Sequence, residues 1–259
     1  MPDFIASLDL GQQSDFTALA VLKRSLVLDA AGMPARDRLR LPVYRHAVVA
    51  LERYPLGTSY PAVVASVSAF LRRPELQPAP RLVVDATGVG RAVVDMLLNA
   101  LRGAFEVVPL TITAGDKVRR DAWAPGVRGY WTPKRELVSA VQASLGTERL
   151  KVARGLREGD TLKRELLDFR IKATAAANET FNAQEGTHDD LVLAVAMGVW
   201  LGERREVWYR TKQEDDPDRK ALTAERKAEE RAEKGALEKQ AEADRERRRE
   251  EHLGTHGWR

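Results

Sequence analysis

The sequence predicts an α/β fold, a mixed sheet of at least five strands with helices on both faces. Two observations predict it. Three apolar runs come first, and helical and strand patterns then alternate until a closing helix. The run Arg81–Asp85 is almost continuously apolar, which is typical of a strand covered on both sides, and an amphipathic helix follows it.

Apolar runs that end in turn residues predict the strands, and apolar residues at helical spacing predict the helices. Ser59 is the expected N-cap of the first helix, with Pro61 in its first turn. Residues 113–132 carry Gly, Pro and Trp and are expected to be irregular. The predicted elements are strands Phe4–Leu10, Thr17–Lys23 and Val43–Leu51, helix Thr58–Arg72, strand Arg81–Asp85, helix Arg91–Leu101, strand Glu106–Ile112, helix Pro133–Leu145, a short basic segment Arg149–Ala153, helix Asp160–Phe169, polar strands Arg170–Thr174 and Thr180–Gln184, and helix His188–Leu201.

The composition of the chain changes sharply near residue 203. Apolar runs precede this point, whereas Lys, Arg, Glu and Asp dominate from Glu203 to Arg259. Residues 222–251 favour a helix but lack the apolar stripe that would dock it on a core. We therefore predict a folded domain over residues 1–202 and a charged C-terminal tail over residues 203–259, either helical or disordered.

Composition excludes several classes of site. The chain has no cysteine, which rules out disulfides, a thiol nucleophile and Cys-ligated metals, and its four histidines argue against a His-rich metal site. The net charge of +4 is weak evidence for a nucleic-acid partner. No apolar stretch of about 18 residues and no signal-peptide pattern occurs, so we expect an intracellular, non-secreted protein without a membrane partner.

Acidic residues stand at the ends of three predicted elements. Asp9 ends the first strand, Asp85 ends the fourth, and Asp189 and Asp190 begin the last helix. If the two strands are adjacent and parallel, their aspartates emerge at one edge of the sheet, where α/β proteins bind ligands. Carboxylates converging there would repel one another, and hard oxygen ligands of this kind suit Mg²⁺ or Mn²⁺. Two such ions can support hydrolysis of a phosphodiester.

Each of these acids also has a simpler interpretation. An Asp before Gly often only forms a turn, and an Asp in the first turn of a helix often only complements the helix dipole. Asp15 and Asp95 are interpreted in this way, as a loop residue and an exposed helix residue, and His188 as a capping or surface residue.

Other nucleotide and hydrolase motifs are incomplete or absent. The Gly88-Val89-Gly90 turn lacks the third glycine of a dinucleotide fingerprint, because position 93 is Val. No GxxxxGK[ST] loop or GxSxG elbow occurs. The Asp-x-Gly of the first strand, followed by a threonine hairpin, also occurs in actin-like ATPases, although about 200 residues are short for their duplicated core.

Four motifs along the chain carry a family resemblance. They are Leu8-Asp9-Leu10-Gly11 with Asp15-Phe16-Thr17-Ala18, Val84-Asp85-Ala86-Thr87-Gly88-Val89-Gly90, Pro133-Lys134-Arg135-Glu136-Leu137-Val138-Ser139, and Glu185-Gly186-Thr187-His188-Asp189-Asp190-Leu191-Val192-Leu193-Ala194. Taken together, they resemble the nuclease domain of tailed-phage large terminase subunits, over roughly residues 4–202 and in the expected order. The resemblance implies a ribonuclease H-like fold and an endonuclease that cuts concatemeric viral DNA during genome packaging, with divalent metal held by acidic residues.

The resemblance also implies roles for individual residues. Asp9, Asp85 and Asp189 match the family's catalytic, metal-binding acids. Asp190 matches an adjacent acid whose role varies, and we expect it as a fourth metal ligand. The basic stretch around residues 113–135 falls where such domains carry a loop or hairpin near the DNA groove. Its candidates for contacts to DNA phosphates are Lys117, Arg119, Arg120, Arg128, Lys134 and Arg135, with Lys172 as a weaker one.

One departure from the family leaves alternatives open. Complete large terminases also have an N-terminal ATPase motor, and this sequence contains no such motif. We expect double-stranded DNA as partner, with the small terminase subunit, a packaging ATPase and the portal or procapsid as further ones, in the cytoplasm of an infected bacterium. The alternatives are a resolvase-type nuclease on the same fold and a non-catalytic packaging or scaffold component.

Overall fold

The computed structural model describes residues 3–11, 15–37, 42–77, 79–101, 104–175 and 189–204, and the side chains of residues 169–175 are not described. Its strands form one eight-stranded mixed sheet in the order β6-β7-β5-β4-β1-β2-β3-β8. The elements are β1 (Asp3–Asp9), β2 (Ala18–Leu26), β3 (Tyr44–Arg53), α1 (Tyr60–Leu71), β4 (Arg81–Asp85), α2 (Gly90–Ala100), β5 (Val107–Thr113), β6 (Arg119–Ala124), β7 (Val127–Pro133), α3 (Lys134–Gly146), β8 (Leu150–Val152), α4 (Gly159–Ala175) and α5 (Asp190–Glu203), with a short 3₁₀ turn at Pro74–Leu76.

The sheet has an antiparallel part and a parallel part. Strand β2 pairs antiparallel with both β1 and β3. Strands β1, β4, β5 and β7 are successively parallel, and β8 lies parallel to β3 at the other side. Only β2 and β6 therefore run against the others, so β1, β3, β4, β5, β7 and β8 all end at the same edge of the sheet. We call this the carboxyl edge.

Alternation along the strands builds a core on each face of the sheet. On β1, Ile5 faces the core that contains α3, α4 and α5, whereas Phe4 and Leu8 face the core that contains α1 and α2. Helix α5 is buried on nearly every side, and Gly198 lets it approach β2, since a Cβ there would lie 2.6 Å from Leu22 Cδ1. The two cores confirm the predicted fold class, a mixed α/β sheet covered on both faces.

Three predicted segments differ from the structure. Residues 119–133 form the β6–β7 hairpin rather than an irregular stretch. The sequence did not indicate this hairpin, because most of β6 is exposed and shows no apolar run. Arg170–Thr174 is the end of α4 rather than a strand, since no Gly or Pro stops that helix after Gly159. The basic segment Arg149–Ala153 contains β8, which forms only by pairing with the distant β3. The predicted strand Thr180–Gln184 lies outside the described residues.

The remaining elements match their predicted positions within about three residues, a normal uncertainty for such boundaries. Ser59 caps α1 as expected, its hydroxyl accepting the amide N–H of Ala62 at 3.4 Å. Over the residues described, no helix is both long and apolar enough to cross a membrane. All but the first residues of the predicted tail lie outside the described residues, so its structure stays a prediction.

Candidate metal centre

Two aspartates reach the carboxyl edge on adjacent parallel strands. Strand β1 ends at Asp9 and β4 ends at Asp85, and the two strands pair directly through Leu8 and Val84. The condition set by the sequence analysis, that these strands are adjacent and parallel, is therefore met. Helix α5, which packs against β1, begins close to the same site. Its first acids, Asp189 and Asp190, are near enough to act electrostatically on Asp9.

Asp9 is a buried acid close to three other carboxyl groups. Its side chain is 6% exposed, and this burial is the main reason that its pKa is raised well above the ordinary value. The negative charges of Asp85, Asp190 and Asp189 raise the pKa further. The ammonium group of Lys134 lowers it in part. The carboxyl groups of Asp85, Asp189 and Asp190 are thus close enough to Asp9 to oppose its ionisation.

Asp85 is held in place by a threonine two residues later. Its Oδ1 accepts the backbone N–H of Thr87 at 2.8 Å and the Thr87 hydroxyl at 2.6 Å. The same hydroxyl oxygen accepts the N–H of Ile112 on β5 at 2.9 Å, which ties the carboxylate to the neighbouring strand. Burial raises the pKa of Asp85, and the two hydrogen bonds from Thr87 partly offset this rise.

The Gly-Val-Gly turn brings α2 against the end of β4. A Cβ on Gly90 would lie 2.2 Å from the backbone oxygen of Asp85, so only glycine fits where α2 begins. This close approach gives the second glycine of the turn a packing role beside Asp85.

The two acids at the start of α5 have different partners. Asp189 stands at the N-cap position but makes no capping hydrogen bond, and its Oδ2 instead lies 3.0 Å from the Lys134 ammonium at the start of α3. Asp190 is buried, and its Oδ2 lies 2.8 Å from Nη2 of Arg53, the last residue of β3. Each acid of the pair therefore already faces a positive charge.

Arg53 also contacts a fifth acid, Glu165 of α4, whose Oε1 lies 3.0 Å from the same Nη2. The other oxygen of Glu165 accepts the backbone N–H groups of Leu191 and Val192 at 3.0 and 3.1 Å. Burial raises the pKa of Glu165 to about 7, although these hydrogen bonds and Arg53 oppose the rise. Glu165 thus holds the first turn of α5 from a separate helix.

The predicted phosphate-binding residues do not lie on a single surface. Lys134 contacts Asp189 among the acids, and Arg135 pairs with the exposed Asp116 at 2.9 Å. Lys117 is exposed before β6. On the hairpin, Arg120 and Arg128 lie on the same face as Tyr130, which packs edge-on against Trp200 of α5.

Arg119 lies on the opposite face of the hairpin, where its guanidinium stands 5.5 Å from the centre of the Trp131 ring. A duplex that contacts one face of the hairpin can therefore use Arg119, or Arg120 and Arg128, but not all three. His188 lies outside the described residues, and Lys172 lies on α4 with an undescribed side chain. Asp15 and Asp95 are both exposed, in agreement with their structural interpretation.

The chemistry of the acids fits a divalent cation. Asp9 and Asp85 offer buried hard oxygens, and no donor in the described residues makes a hydrogen bond to the Asp9 carboxylate. A protein cation, the Lys134 ammonium, already stands against the cluster. As the side chains lie, however, no three acids or histidines among the described residues form a group that could hold a metal ion. Mg²⁺ usually keeps several water ligands and needs only one or two carboxylates, which Asp9 and Asp85 can supply.

The fold is similar to terminase nuclease domains. The large terminase nuclease from thermophilic phage G20c is 21% identical with a TM-score of 0.44, over 76% of this chain and 81% of that chain. The human cytomegalovirus terminase nuclease domain is 12% identical, over 77% of this chain and 82% of that chain, with TM-scores of 0.46 for a manganese-soaked structure and 0.47 for another. No family model and no curated protein matches the chain.

These neighbours are of the class that the sequence motifs resemble. At such identities and TM-scores, however, the likeness does not assign an activity or a metal to this chain. Both have to be argued from the residues at the carboxyl edge.

Sequence reasoning missed three residues of this site, namely Arg53, Thr87 and Glu165. A signal existed for Arg53, because it stands at the end of strand β3. Since β3 runs parallel to β1, its last residue lies at the same edge of the sheet as Asp9. Thr87 belonged to a recognised motif, but nothing in the motif showed that its hydroxyl would bind Asp85. Glu165 lies in an ordinary helical pattern, and its contacts to α5 depend on how two helices pack.

Proposed function

We propose that this chain is a metal-dependent endonuclease that cuts double-stranded viral DNA during genome packaging, the nuclease part of a large terminase. One observation carries the proposal: acids from β1, β4 and α5 come together at the carboxyl edge, where burial and then the charges of the neighbouring acids raise the pKa of Asp9. A site that concentrates negative charge in this way is built for a cation. The order of the motifs, which resembles that of terminase nucleases, supports the choice of substrate.

Asp9, Asp85 and Asp189 would hold divalent metal, Mg²⁺ or Mn²⁺. Metal held there would supply Lewis-acid chemistry for activating water and stabilising the leaving oxygen of a phosphodiester. The chain's own residues prepare the site: Thr87 fixes one oxygen of Asp85, and Lys134 neutralises part of the acidic charge. No protein nucleophile is required.

The exposed basic residues near the carboxyl edge and on the hairpin would contact DNA phosphates. Binding should therefore weaken as salt rises and depend little on sequence. Because the hairpin residues lie on two faces, we expect only one face to contact the duplex at a time.

The test is cleavage of supercoiled plasmid by the purified protein with Mn²⁺, Mg²⁺ or EDTA. We expect cutting that needs metal and that is lost in Asp85→Asn. The matched control is Asp95→Asn, which changes an exposed acid on α2 and should cut like the wild type. Near wild-type cutting by Asp85→Asn, or cutting in EDTA, would contradict the proposal.

A second arm of the same experiment compares linear duplex with branched DNA. Equal or faster cutting of the duplex agrees with a packaging nuclease, whereas strong preference for a four-way junction would indicate a resolvase. Binding of DNA without cleavage under any metal would favour the scaffold alternative.

A further inference from the structure

The start of α5 is capped by a residue from another helix. The first amide groups of a helix have no partner within it, and an Asp at the N-cap position commonly accepts them. Asp189 occupies that position but makes no capping hydrogen bond. Glu165 of α4 accepts the N–H groups of Leu191 and Val192 instead, 26 and 27 residues away in sequence. The Asp189 carboxylate therefore does not cap its own helix and instead faces Lys134.

Arg53 fixes the capping carboxylate from the sheet. Its Nη2 donates to Glu165 at 3.0 Å and to Asp190 at 2.8 Å, so that one nitrogen joins β3, α4 and α5. The ring of Phe16 lies 4.2 Å from the guanidinium carbon and covers one face of it. Glu165 and Asp190 are both 7% exposed at their side chains, and Arg53 is 15% exposed. The three groups form one buried unit.

This arrangement separates the two neighbouring acids of α5 by role. Asp190 points to Arg53, inside the buried unit, whereas Asp189 is 30% exposed and faces Lys134 at the acidic cluster. Without the cap from Glu165, the Asp189 side chain stands at the position from which an Asp usually accepts the free amides of its own helix. It would then turn away from Asp9 and Asp85.

We propose that Glu165 and Arg53 are positioning residues that cap α5 in place of Asp189, and that Asp190 acts through Arg53 rather than as a metal ligand. The inference rests on the proposed metal site and names the residues that prepare it. Residues that orient metal ligands commonly change metal affinity when they are replaced.

The experiment compares Glu165→Gln with Glu203→Gln, which alters a half-buried acid at the opposite end of α5. The two readouts are the Mn²⁺ concentration that gives half of the maximal rise in Tm, and hydrogen exchange at the amides of Leu191 and Val192 without metal. A Gln side chain has one acceptor oxygen and cannot serve both Arg53 and the two backbone N–H groups, which use different oxygens of Glu165. For Glu165→Gln we therefore expect faster exchange and a Mn²⁺ midpoint raised about tenfold or more. Glu203→Gln should lower Tm but leave both readouts near the wild type.

Two results would overturn the inference. One is a Glu165→Gln protein with wild-type exchange at Leu191 and Val192 and a midpoint within twofold of the wild type. The other is an equal change in the two variants, which would mean that the midpoint follows general stability. A wild type that shows no Mn²⁺ response would count against the proposed function itself, and the exchange measurement would still show whether Glu165 caps the helix.

Asp190→Asn separates a positioning role from a ligand role. An Asn side chain keeps an oxygen that can accept from Arg53, so we expect a smaller rise in the Mn²⁺ midpoint than Asp9→Asn causes. Arg53→Met should reproduce the effect of Glu165→Gln, and the double variant should be no worse than the single ones, because the residues act as a unit. An Asp190→Asn protein as impaired as Asp9→Asn would make Asp190 a ligand.

Discussion

Acids and bases meet at both ends of α5, but the pKa of the acid is lowered at the C-terminal end and raised at the N-terminal end. At the C-terminal end, Glu203 accepts from His46 at 3.0 Å and pairs with Arg149, while Arg24 donates to the carbonyl of Gly202 at 2.6 Å. Burial alone would raise the pKa of Glu203, but the hydrogen bonds from His46 and Arg149 outweigh it, so the pKa is lowered. This end of the helix is charge-matched.

The N-terminal end is not charge-matched. Burial raises the pKa of Glu165 to about 7, and that of Asp9 is raised well above its ordinary value. Five acids are arranged there around two bases, so the acids outnumber the positive charges. They are Asp9, Asp85, Glu165, Asp189 and Asp190, with Arg53 and Lys134. The comparison teaches that ion pairs at one end stabilise the fold, whereas the other end keeps unfavourable charge that a bound cation would relieve.

The largest expected effect comes from removing one charge at the acidic end. Asp9→Asn should lower plasmid cleavage by more than the roughly 100-fold that loss of a residue behind a metal ligand can cost. In EDTA the same change should raise Tm by about 2–4 °C, because relief of repulsion is worth on the order of 1 kcal/mol. Activity assays and thermal unfolding measure both.

Glu203→Gln is the opposite case, and its Tm should fall because His46 and Arg149 lose a charged acceptor. A fall in Tm for Asp9→Asn of the same size would remove the distinction between the two ends.

Gly90→Ala should affect the acidic end through the backbone. Its Cβ would collide with the Asp85 backbone oxygen, so the end of β4 or the start of α2 must shift. We expect a loss of about 1–3 kcal/mol in the free energy of unfolding, together with reduced cleavage. Urea unfolding and the plasmid assay test this, with Gly146→Ala as control, since a Cβ there meets nothing within 4 Å. Unchanged stability in Gly90→Ala would contradict the close packing.

The two ends should also respond oppositely to pH. The pKa of Glu165 rises from 4.5 to about 7 on folding, so the folded protein holds a proton that the unfolded chain releases. Stability without metal should therefore fall as pH rises through that window, and Asp9 and Asp85 act in the same direction. Glu203, with its lowered pKa, contributes stability that is lost only as pH falls below 4.5.

Thermal unfolding in EDTA from about pH 5 to about pH 8 measures the first effect. Glu165→Gln should flatten the decline, whereas Glu203→Gln should leave its slope unchanged above about pH 5. A decline of the same slope in the wild type and in Glu165→Gln would mean that Glu165 does not titrate there.

The smallest expected effect concerns DNA affinity. Lys151 lies beside the charge-matched end, at the rim of a cavity that Glu203 and Arg149 also line, whereas Arg128 lies on the hairpin. If DNA meets the acidic end, Arg128→Ala or Arg119→Ala should weaken binding and reduce the salt slope by about 1. Lys151→Ala should change neither. Binding titrations at several salt concentrations will show which face of the hairpin contributes, and an effect of Lys151→Ala alone would place DNA elsewhere.

Much of the fold was predictable because its signals are local. The strands β1, β2 and β4 carry apolar runs that end in turn residues, and α5 is apolar on nearly every side. The elements that were missed carry no local apolar run. The edge strand β8 exists through the distant β3, whereas β6 is a mostly exposed edge strand that pairs with its sequence neighbour β7.

The sequence by itself determined which acids end β1 and β4 and begin α5, because strand periodicity and turn chemistry are properties of a few neighbouring residues. The tertiary structure alone decided which charges face one another. Arg53 and Asp190 are 137 residues apart, and Arg53 and Glu165 are 112 apart, so no local pattern records either contact. The packing of the sheet against α4 and α5 sets the partner of each side chain. It thereby also sets the division between a charge-matched end and an acidic end of α5.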